Sequence, residues 1–189
     1  FYTMMMKEKT MKKGILVIVS GFSGAGKGTV MKSFMEKYSD KFCLSVSATT
    51  RLPREGEIHG QDYFFKKKEE FEQMIAEDAL LEYACYVGNY YGTPRAFVES
   101  KLDEGMNVLL EIEIQGALKV KEKIKDTPIL LLDDVLSELD SNRQTYLLDS
   151  IHDIQTLITC TGLDDFVSHQ FHINKVFKVV KGEVFNPVN

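Results

Sequence analysis

Apolar residues fall in short blocks along this chain, and the spacing within each block changes from one to the next. Ile15 to Val19 is a continuous apolar run of strand length. It predicts a buried strand. Val30, Phe34, Met35 and Tyr38 recur at helical spacing, which predicts a helix with those residues on one face. Phe42, Leu44 and Val46 then alternate with polar residues, as a strand does. Residues 66–76 predict a short helix with Phe71, Met74 and Ile75 inward. Leu81 to Thr93 is rich in Tyr and Gly, and Pro94 suits the first turn of a helix that ends near Gly105. Leu110, Ile112 and Ile114 alternate with Glu111 and Glu113. A strand of period two over this stretch puts both glutamates on one face. A helix follows from Gln115 to Lys125, with Ala117, Val120 and Ile124 inward. Pro128 to Asp134 reads as an apolar strand ending in two aspartates. Ser137 is positioned to cap a helix opened by SELD. Residues 155–160 form another apolar strand, and Lys181-Gly182 turns a last hairpin.

The first strand runs directly into GFSGAGKGT, from Gly21 to Thr29, and then into the first helix. Strand, glycine loop and helix in that order is the context of a phosphate-binding loop. Gly21, Gly24 and Gly26 allow backbone N–H groups to turn inward around phosphate oxygens. The helix points its positive end at the same place, and Lys27 adds a full charge that reaches the outer phosphates. Gly28 follows the lysine, so Thr29 is the first hydroxyl after it. The predicted phosphate-binding site, which the resemblance given below assigns to ATP, is Gly21, Ser23, Gly24, Ala25, Gly26, Lys27, Gly28 and Thr29.

A chain of 189 residues holds one good core, or one domain with a small lobe. No apolar run approaches a membrane span, and the opening FYTMMMKEKT lacks the apolar core of a signal peptide. Cys43, Cys85 and Cys160 are odd in number and far apart, which suggests a reducing, cytoplasmic setting. Residues 1–127 carry 19 basic and 19 acidic side chains, and residues 128–189 carry 4 and 9, so the tail holds the whole net charge of −5. An acidic, arginine-poor tail argues against DNA binding. The segment Ser45 to Phe65 holds Arg51 and Arg54 among hydroxyls, glycines and a proline. Paired arginines suit a phosphate monoester, although a solvated charged loop has the same composition. Glu111 and Glu113, beside the phosphate loop, suit Mg²⁺ held through water, or a sugar or base.

Residues 14 to about 125 resemble a guanylate kinase. The combination SATTRLPREGEIHGQDYFF, GNYYGT and LLEIEIQGA carries the resemblance; the phosphate loop alone does not, since adenylate kinases share GKGT. The resemblance implies an α/β fold of the P-loop NTPase class. That is a three-layer α/β/α architecture with a mainly parallel sheet and a small inserted GMP-binding lobe at about 47–95. It implies that Arg51, Arg54, Tyr63 and Tyr91 hold the GMP phosphate and that Ser47, Glu82 and Thr93 read the guanine. Glu111 and Glu113 become the acidic pair for Mg²⁺ and guanosine, and Lys27, Arg51 and Arg54 the catalytic cations. Phe22 stands where the family often has proline. Residues 128–189 are instead similar to the C-terminal end of RecF, an ATPase of the ABC/SMC class. By that resemblance LLLDD is a Walker B strand, with Asp133 toward Mg²⁺ and Asp134 near the attacking water, and SELD is a D-loop.

Three parts are therefore expected: an N-terminal extension over 1–13, a kinase-like core over 14–127, and a RecF-like segment over 128–189, whose strands could complete the same sheet. The expected activity is transfer of the ATP γ-phosphoryl to GMP with Mg²⁺, slowed because the family's arginine-bearing lid is replaced. The alternatives are a RecF-type ATPase fragment and a nucleotide-binding module without catalysis. Between the two acidic strands beside the loop, Glu111 and Glu113 are preferred over Asp133.

Overall fold

Five strands pair in parallel around β1 (Leu16–Gly21). On one side of it lies β7 (Asn107–Glu111), then β2 (Phe42–Leu44); on the other lie β8 (Ile129–Asp133) and β9 (Thr156–Thr159). The computed structural model describes residues 12–21, 27–124, 128–151, 153–162 and 173–185. Both neighbours of β1 read as nearly unbroken apolar runs, NVLLE and ILLLD, because a parallel strand with helices on both faces buries both sets of side chains. Register is set by the same residues. Val17 pairs with Leu109 and with Ile129, Val19 with Glu111, and Gly21 with Asp133. The tail's two strands thus extend the sheet begun by the first half of the chain.

Alternation along β1 sorts the two cores. Leu16 and Ile18 face one side with Val108, Leu110, Leu130 and Leu132, against α3 (Arg95–Asp103), α4 (Ile114–Lys123) and α5 (Ser141–Ile151). Val17 and Leu109 face the other, against α1 (Lys27–Tyr38). Each fully buried aliphatic chain here is worth about 1.5–3 kcal/mol, well above a surface ion pair at roughly 0–1 kcal/mol. Apolar burial therefore decides where β8 goes. The inward stripe of α1 is Met31, Phe34 and Met35, not the predicted set. Val30 is 68% exposed, because it sits one residue, about 100° of helix, off that stripe. Tyr38 is on the rim, its ring 4.8 Å from that of Phe34.

The lobe between β2 and α3 is a second sheet in the order β4-β3-β6-β5. Its strands are β3 (Ala48–Thr49), β4 (Phe64–Phe65), β5 (Leu80–Tyr86) and β6 (Asn89–Pro94), and α2 (Lys68–Ala76) packs on it. Phe71 of α2 is fully buried and stacks on Tyr90, with ring centroids 5.3 Å apart. The strand expected to run through Val46 stops at Leu44, where the chain leaves the main sheet for this lobe. β5 lies against α4. Lys123 Nζ donates to Asp78 at 2.5 Å and to the Leu80 carbonyl at 2.8 Å, and Lys119 Nζ donates to the Tyr83 carbonyl at 3.2 Å.

The tail departs from prediction at one helix end. Leu136–Glu138 is a 3₁₀ turn, and α5 begins only at Ser141. Asp140 is its cap, Oδ1 accepting from the Arg143 N–H at 3.0 Å, while Ser137 Oγ donates back to the Asp134 carbonyl. β10 (Lys178–Val180) and β11 (Glu183–Phe185) form the last hairpin, turned at Lys181-Gly182 as expected.

Candidate active site

The C-terminal end of β1 is where the site begins. Connections leave β1 and β8 in opposite directions, and ligands of open parallel sheets bind at such a switch, outside the carboxyl ends of the strands. Gly21 ends β1 there. A Cβ on it would stand 2.9 Å from both the Cβ and the carbonyl oxygen of Asp133, so glycine is required by the close approach of β8. Lys27 opens α1, and its Nζ donates to the Gly21 carbonyl at 2.6 Å, spanning the mouth of the loop. Gly28 and Thr29 follow on the exposed first turn, which carries no acidic side chain, so the helix's positive end is uncompensated from within. Ser23, Gly24, Ala25 and Gly26, with Phe22, lie outside the described residues. A cleft of about 440 Å³ lies beside the loop, between α1 and the ends of β2 and β7. Gly28, Met31, Lys32, Met35, Leu44 and Glu111 line it.

The acidic residues are arranged differently from expectation. A single strand from Leu109 to Ile114 with two glutamates on one face does not form. β7 stops at Glu111, Glu113 is the N-cap of α4, and Ile114 is already helical. The Glu113 carbonyl accepts from the Ala117 N–H at 3.0 Å, and Ala117 and Val120 of the helix so begun are buried on the sheet. Glu111 is exposed at the end of β7, and Glu113 is exposed one step away at the head of α4. The two strands expected to compete for the place beside the loop both flank β1, one on each side. Asp133 is the residue registered with Gly21. Its Oδ1 accepts from the Thr159 hydroxyl at 2.7 Å, and the Asp134 N–H donates to the same hydroxyl at 3.0 Å. Asp134 itself has φ of 48°. Thr159 was not predicted; it acts through a neighbouring strand and leaves no local signal. Among the described residues no group of three or more His, Cys, Asp or Glu is placed to hold a metal ion.

In the lobe, three of the four predicted phosphate-binding residues come together. The Arg51 guanidinium lies 5.3 Å from the Tyr63 ring centroid, and the Tyr63 and Tyr91 rings are 6.2 Å apart. Arg54 shares the loop, but its side chain is exposed; its backbone N–H donates to the Glu57 carboxylate at 2.6 Å and its carbonyl accepts from the Glu57 N–H at 3.1 Å. Glu57, which the sequence did not single out, also takes Arg51 in a two-pronged ion pair at 2.8 and 2.9 Å. Arg51 and the Arg54 N–H together hold the Glu57 carboxyl down at about 2. A carboxyl lowered in the folded state contributes stability that is full above its ordinary value near 4.5 and is lost as pH falls toward 2. The gap in thermal midpoint between the natural chain and Glu57→Gln should therefore be constant above about pH 4.5 and close below it. A gap that instead narrows between pH 5 and 8 would count against the pair.

The other end of the lobe holds a buried carboxylate. Glu82 on β5 is 8% exposed and accepts from the Thr93 hydroxyl on β6 at 2.7 Å. Burial pushes its carboxyl up, against the pull of Thr93 and Lys119. Gly116 on α4 makes the room: a Cβ there would lie 3.1 Å from Glu82 Oε2. Ser47 immediately precedes the Ala48–Gly92 rung and Thr93 follows it, so antiparallel pairing carries Ser47 toward Thr93. Thus Glu82 and Thr93 are bonded to each other in one part of the lobe, Ser47 stands one residue before the Ala48–Gly92 rung, and Arg51, Tyr63 and Tyr91 cluster in another part.

A parallel sheet in this order, with a glycine loop and helix after its central strand, defines an α/β fold of the P-loop NTPase class carrying an inserted lobe. The guanylate kinase family model matches residues 13–150, and the chain belongs to that family. The guanylate kinase of Clostridium perfringens (strain SM101) is 60% identical over 123 residues, 65% of this chain and 56% of that protein. That of Bacillus subtilis (strain 168) is 54% identical over 135 residues, 71% of this chain and 64% of that protein. The chain thus spans little more than half the length of the curated relatives it matches. Among solved structures, guanylate kinase from Anaplasma phagocytophilum matches with a TM-score of 0.53 and 28% identity, over 84% of each chain. The family match runs past Thr127 through β8 and most of α5. The RecF-like reading of residues 128–189 gains no support from these matches. Among the described residues no helix is long and apolar enough to cross a membrane.

Proposed function

We propose that this chain is an ATP:GMP phosphotransferase, forming ADP and GDP. The observation that carries the reading is the division of the lobe: a cationic and phenolic end at Arg51, Tyr63 and Tyr91, and a buried acceptor end at Glu82 and Thr93. A nucleoside monophosphate has the matching halves, a dianion at one end and a base at the other. Guanine offers N1–H and an exocyclic amine, both donors, and a carboxylate accepts from both. Adenine has no donor pair of that form, so Glu82 sets the preference for the base.

The chemistry asks little covalent work of the protein. The γ-phosphoryl passes in line from ATP to a phosphate oxygen of GMP, and the chain positions two anions that repel one another. Lys27 and the α1 N-terminus carry the donor phosphates, while Arg51, with Arg54 within the same loop, carries the acceptor. Mg²⁺ would supply charge neutralisation of the donor phosphates. The donor set fits such an ion, which is typically held by one or two carboxylates and the substrate's own phosphates rather than by a protein cage. Glu111 and Asp133, one on each side of β1, are the carboxylates that would hold it, with Glu113 close by on α4. Turnover is expected to be slow. The chain has four arginines, and Arg143, the one beyond residue 127, lies 3.4 Å from Asp140 of its own helix end. GMP and ATP are the expected partners, and the setting the cytoplasm.

The test is ADP release by the purified protein with ATP and Mg²⁺, alone, with GMP, and with DNA. GMP-dependent release is expected. Release in the DNA arm only would replace this reading with an ATPase of the RecF type, in which Asp133 beside Gly21 is the acidic residue of the site. GMP binding with no release in any arm would leave a nucleotide-binding module.

A further inference from the structure

Glu57 has no part in the reading above, yet it makes three hydrogen bonds to the two arginine residues of the lobe. Its Oε2 accepts from Arg51 Nη1 at 2.9 Å and from the Arg54 N–H at 2.6 Å, and its Oε1 accepts from Arg51 Nη2 at 2.8 Å. The two side chains are only 16% and 19% exposed, so this pair is shielded in a way that ordinary surface pairs are not. The Leu52 carbonyl takes a further Arg51 Nη1 hydrogen at 2.7 Å. The rings of Tyr63 and Phe65 lie 5.3 and 5.8 Å from the guanidinium carbon.

A guanidinium has five N–H groups, disposed as two forks. Glu57 occupies the end fork, made of one hydrogen each from Nη1 and Nη2, and Leu52 takes the second Nη1 hydrogen. What remains is Nε–H and the second Nη2–H. Those two point along one edge and form the side fork, whose spacing matches two oxygens of one phosphate. The Tyr91 hydroxyl is also within reach of this guanidinium. Glu57 therefore need not let go for a phosphate to bind. A carboxylate on one fork and a phosphate on the other are compatible, and the first prevents the arginine from swinging.

We propose that Glu57 is a positioning residue, which clamps Arg51 by its end fork so that the side fork is presented to the phosphate of the bound nucleoside monophosphate. The proposal rests on the GMP reading above. The opposite sign is the natural competitor. An acidic residue beside a phosphate site should repel the ligand, and if Glu57 merely held Arg51 until a phosphate displaced it, its removal would tighten binding. A third possibility, a staple for the loop with no particular bearing on the phosphate, would weaken every ligand of the lobe alike.

Calorimetric titration of the full chain separates these. GMP and guanosine are titrated into the natural chain, Glu57→Gln and Glu57→Asp, and KM values for GMP and ATP are measured beside them. Residues that orient a metal ligand from behind typically cost about ten- to a hundredfold when removed, and Glu57 stands in the same relation to Arg51. Glu57→Gln should lose GMP affinity by that factor and raise the KM for GMP, with guanosine affinity and the KM for ATP unchanged. Glu57→Asp keeps the charge but is shorter, and should fall between. Unchanged or tighter GMP binding by Glu57→Gln overturns the clamp, and so does an equal loss of guanosine. Should Glu57→Gln fail to fold, Glu57→Asp decides by the same comparison: loss confined to GMP supports the clamp, and loss of both ligands or of neither overturns it. Failure of the natural chain itself to bind GMP would remove the GMP reading together with the clamp. Normal GMP binding by both the natural chain and Glu57→Gln would remove the clamp alone.

Discussion

Lys27→Ala is expected to lower the rate of GMP-dependent ADP formation by two to three orders of magnitude or more, and ATP affinity by about ten- to a hundredfold. In the structure the Lys27 ammonium donates to the Gly21 carbonyl, a neutral acceptor, at 2.6 Å. That bond is charged on the donor side alone, whereas a phosphate adds an opposite charge on the acceptor side, and such bonds between ionised partners are the shorter and stronger ones. A phosphate at the loop therefore outbids the carbonyl. The lysine needs little rearrangement to meet it, because both sit at the mouth of the same loop. The larger loss falls on turnover, since charge on the transferring group grows as the reaction proceeds and a fixed cation is worth most there. Steady-state kinetics with a direct ATP titration checks both parts. Unaltered ATP affinity in Lys27→Ala would mean that the loop does not bind the nucleotide through this residue, and the phosphotransferase reading would go with it.

Glu82→Gln should separate function from stability in opposite directions. The carboxyl is raised by burial, so the folded chain resists its ionisation. A group raised in this way contributes stability that is present below its ordinary value near 4.5 and is lost as pH rises through the raised value. The uncharged, nearly isosteric glutamine escapes that cost. Its thermal midpoint should be above that of the natural chain at pH 7, and the two should converge below about pH 4.5. GMP affinity should move the other way. Glutamine offers one acceptor and one donor where guanine presents two donors, and leaving a buried donor facing another costs about 1–3 kcal/mol, or about ten- to a hundredfold. Thermal melts across pH 4 to 8 with GMP titrations test this. A variant that is stabilised and still binds GMP normally would remove Glu82 from the reading of the base. A variant destabilised at neutral pH would mean that the Thr93 bond and Lys119 outweigh burial.

These two residues differ in how visible they were beforehand. Lys27 was legible at once, because strand, glycines, lysine and helix are contiguous and each constrains the backbone locally. The same holds for β1, for α2 with Phe71 inward, for α3 after Pro94 and for the hairpin at Lys181-Gly182. Periodicity and turn chemistry are short-range properties, and they survive whatever the chain packs against. The lobe residues Arg51, Tyr63, Tyr91, Glu82 and Thr93 were found by resemblance, since composition alone left that segment open between a binding loop and a solvated one.

Long-range pairing decided the rest. The pattern LEIEI obeys strand alternation, but the strand ends at Glu111 and α4 starts at Ile114 to pack on the sheet, so Glu111 and Glu113 part company. Val30 fits a helical face as well as Met31 does, and only the position of the sheet chooses between them. Ser137 and Asp140 are both good caps, and the 3₁₀ turn at Leu136 hands the role to Asp140. Strand pairing puts Glu111 and Asp133 on opposite sides of β1, because β1 pairs with both acidic strands. Glu57 lies six residues from Arg51 and Thr159 twenty-six from Asp133, and no periodicity links either pair. In this chain, then, residues adjacent in sequence declare the phosphate loop and most of the helices. Which carboxylates stand beside that loop, and what holds Arg51 in place, follow only from elements that meet across the fold, because their contacts are set by buried apolar area summed over distant segments.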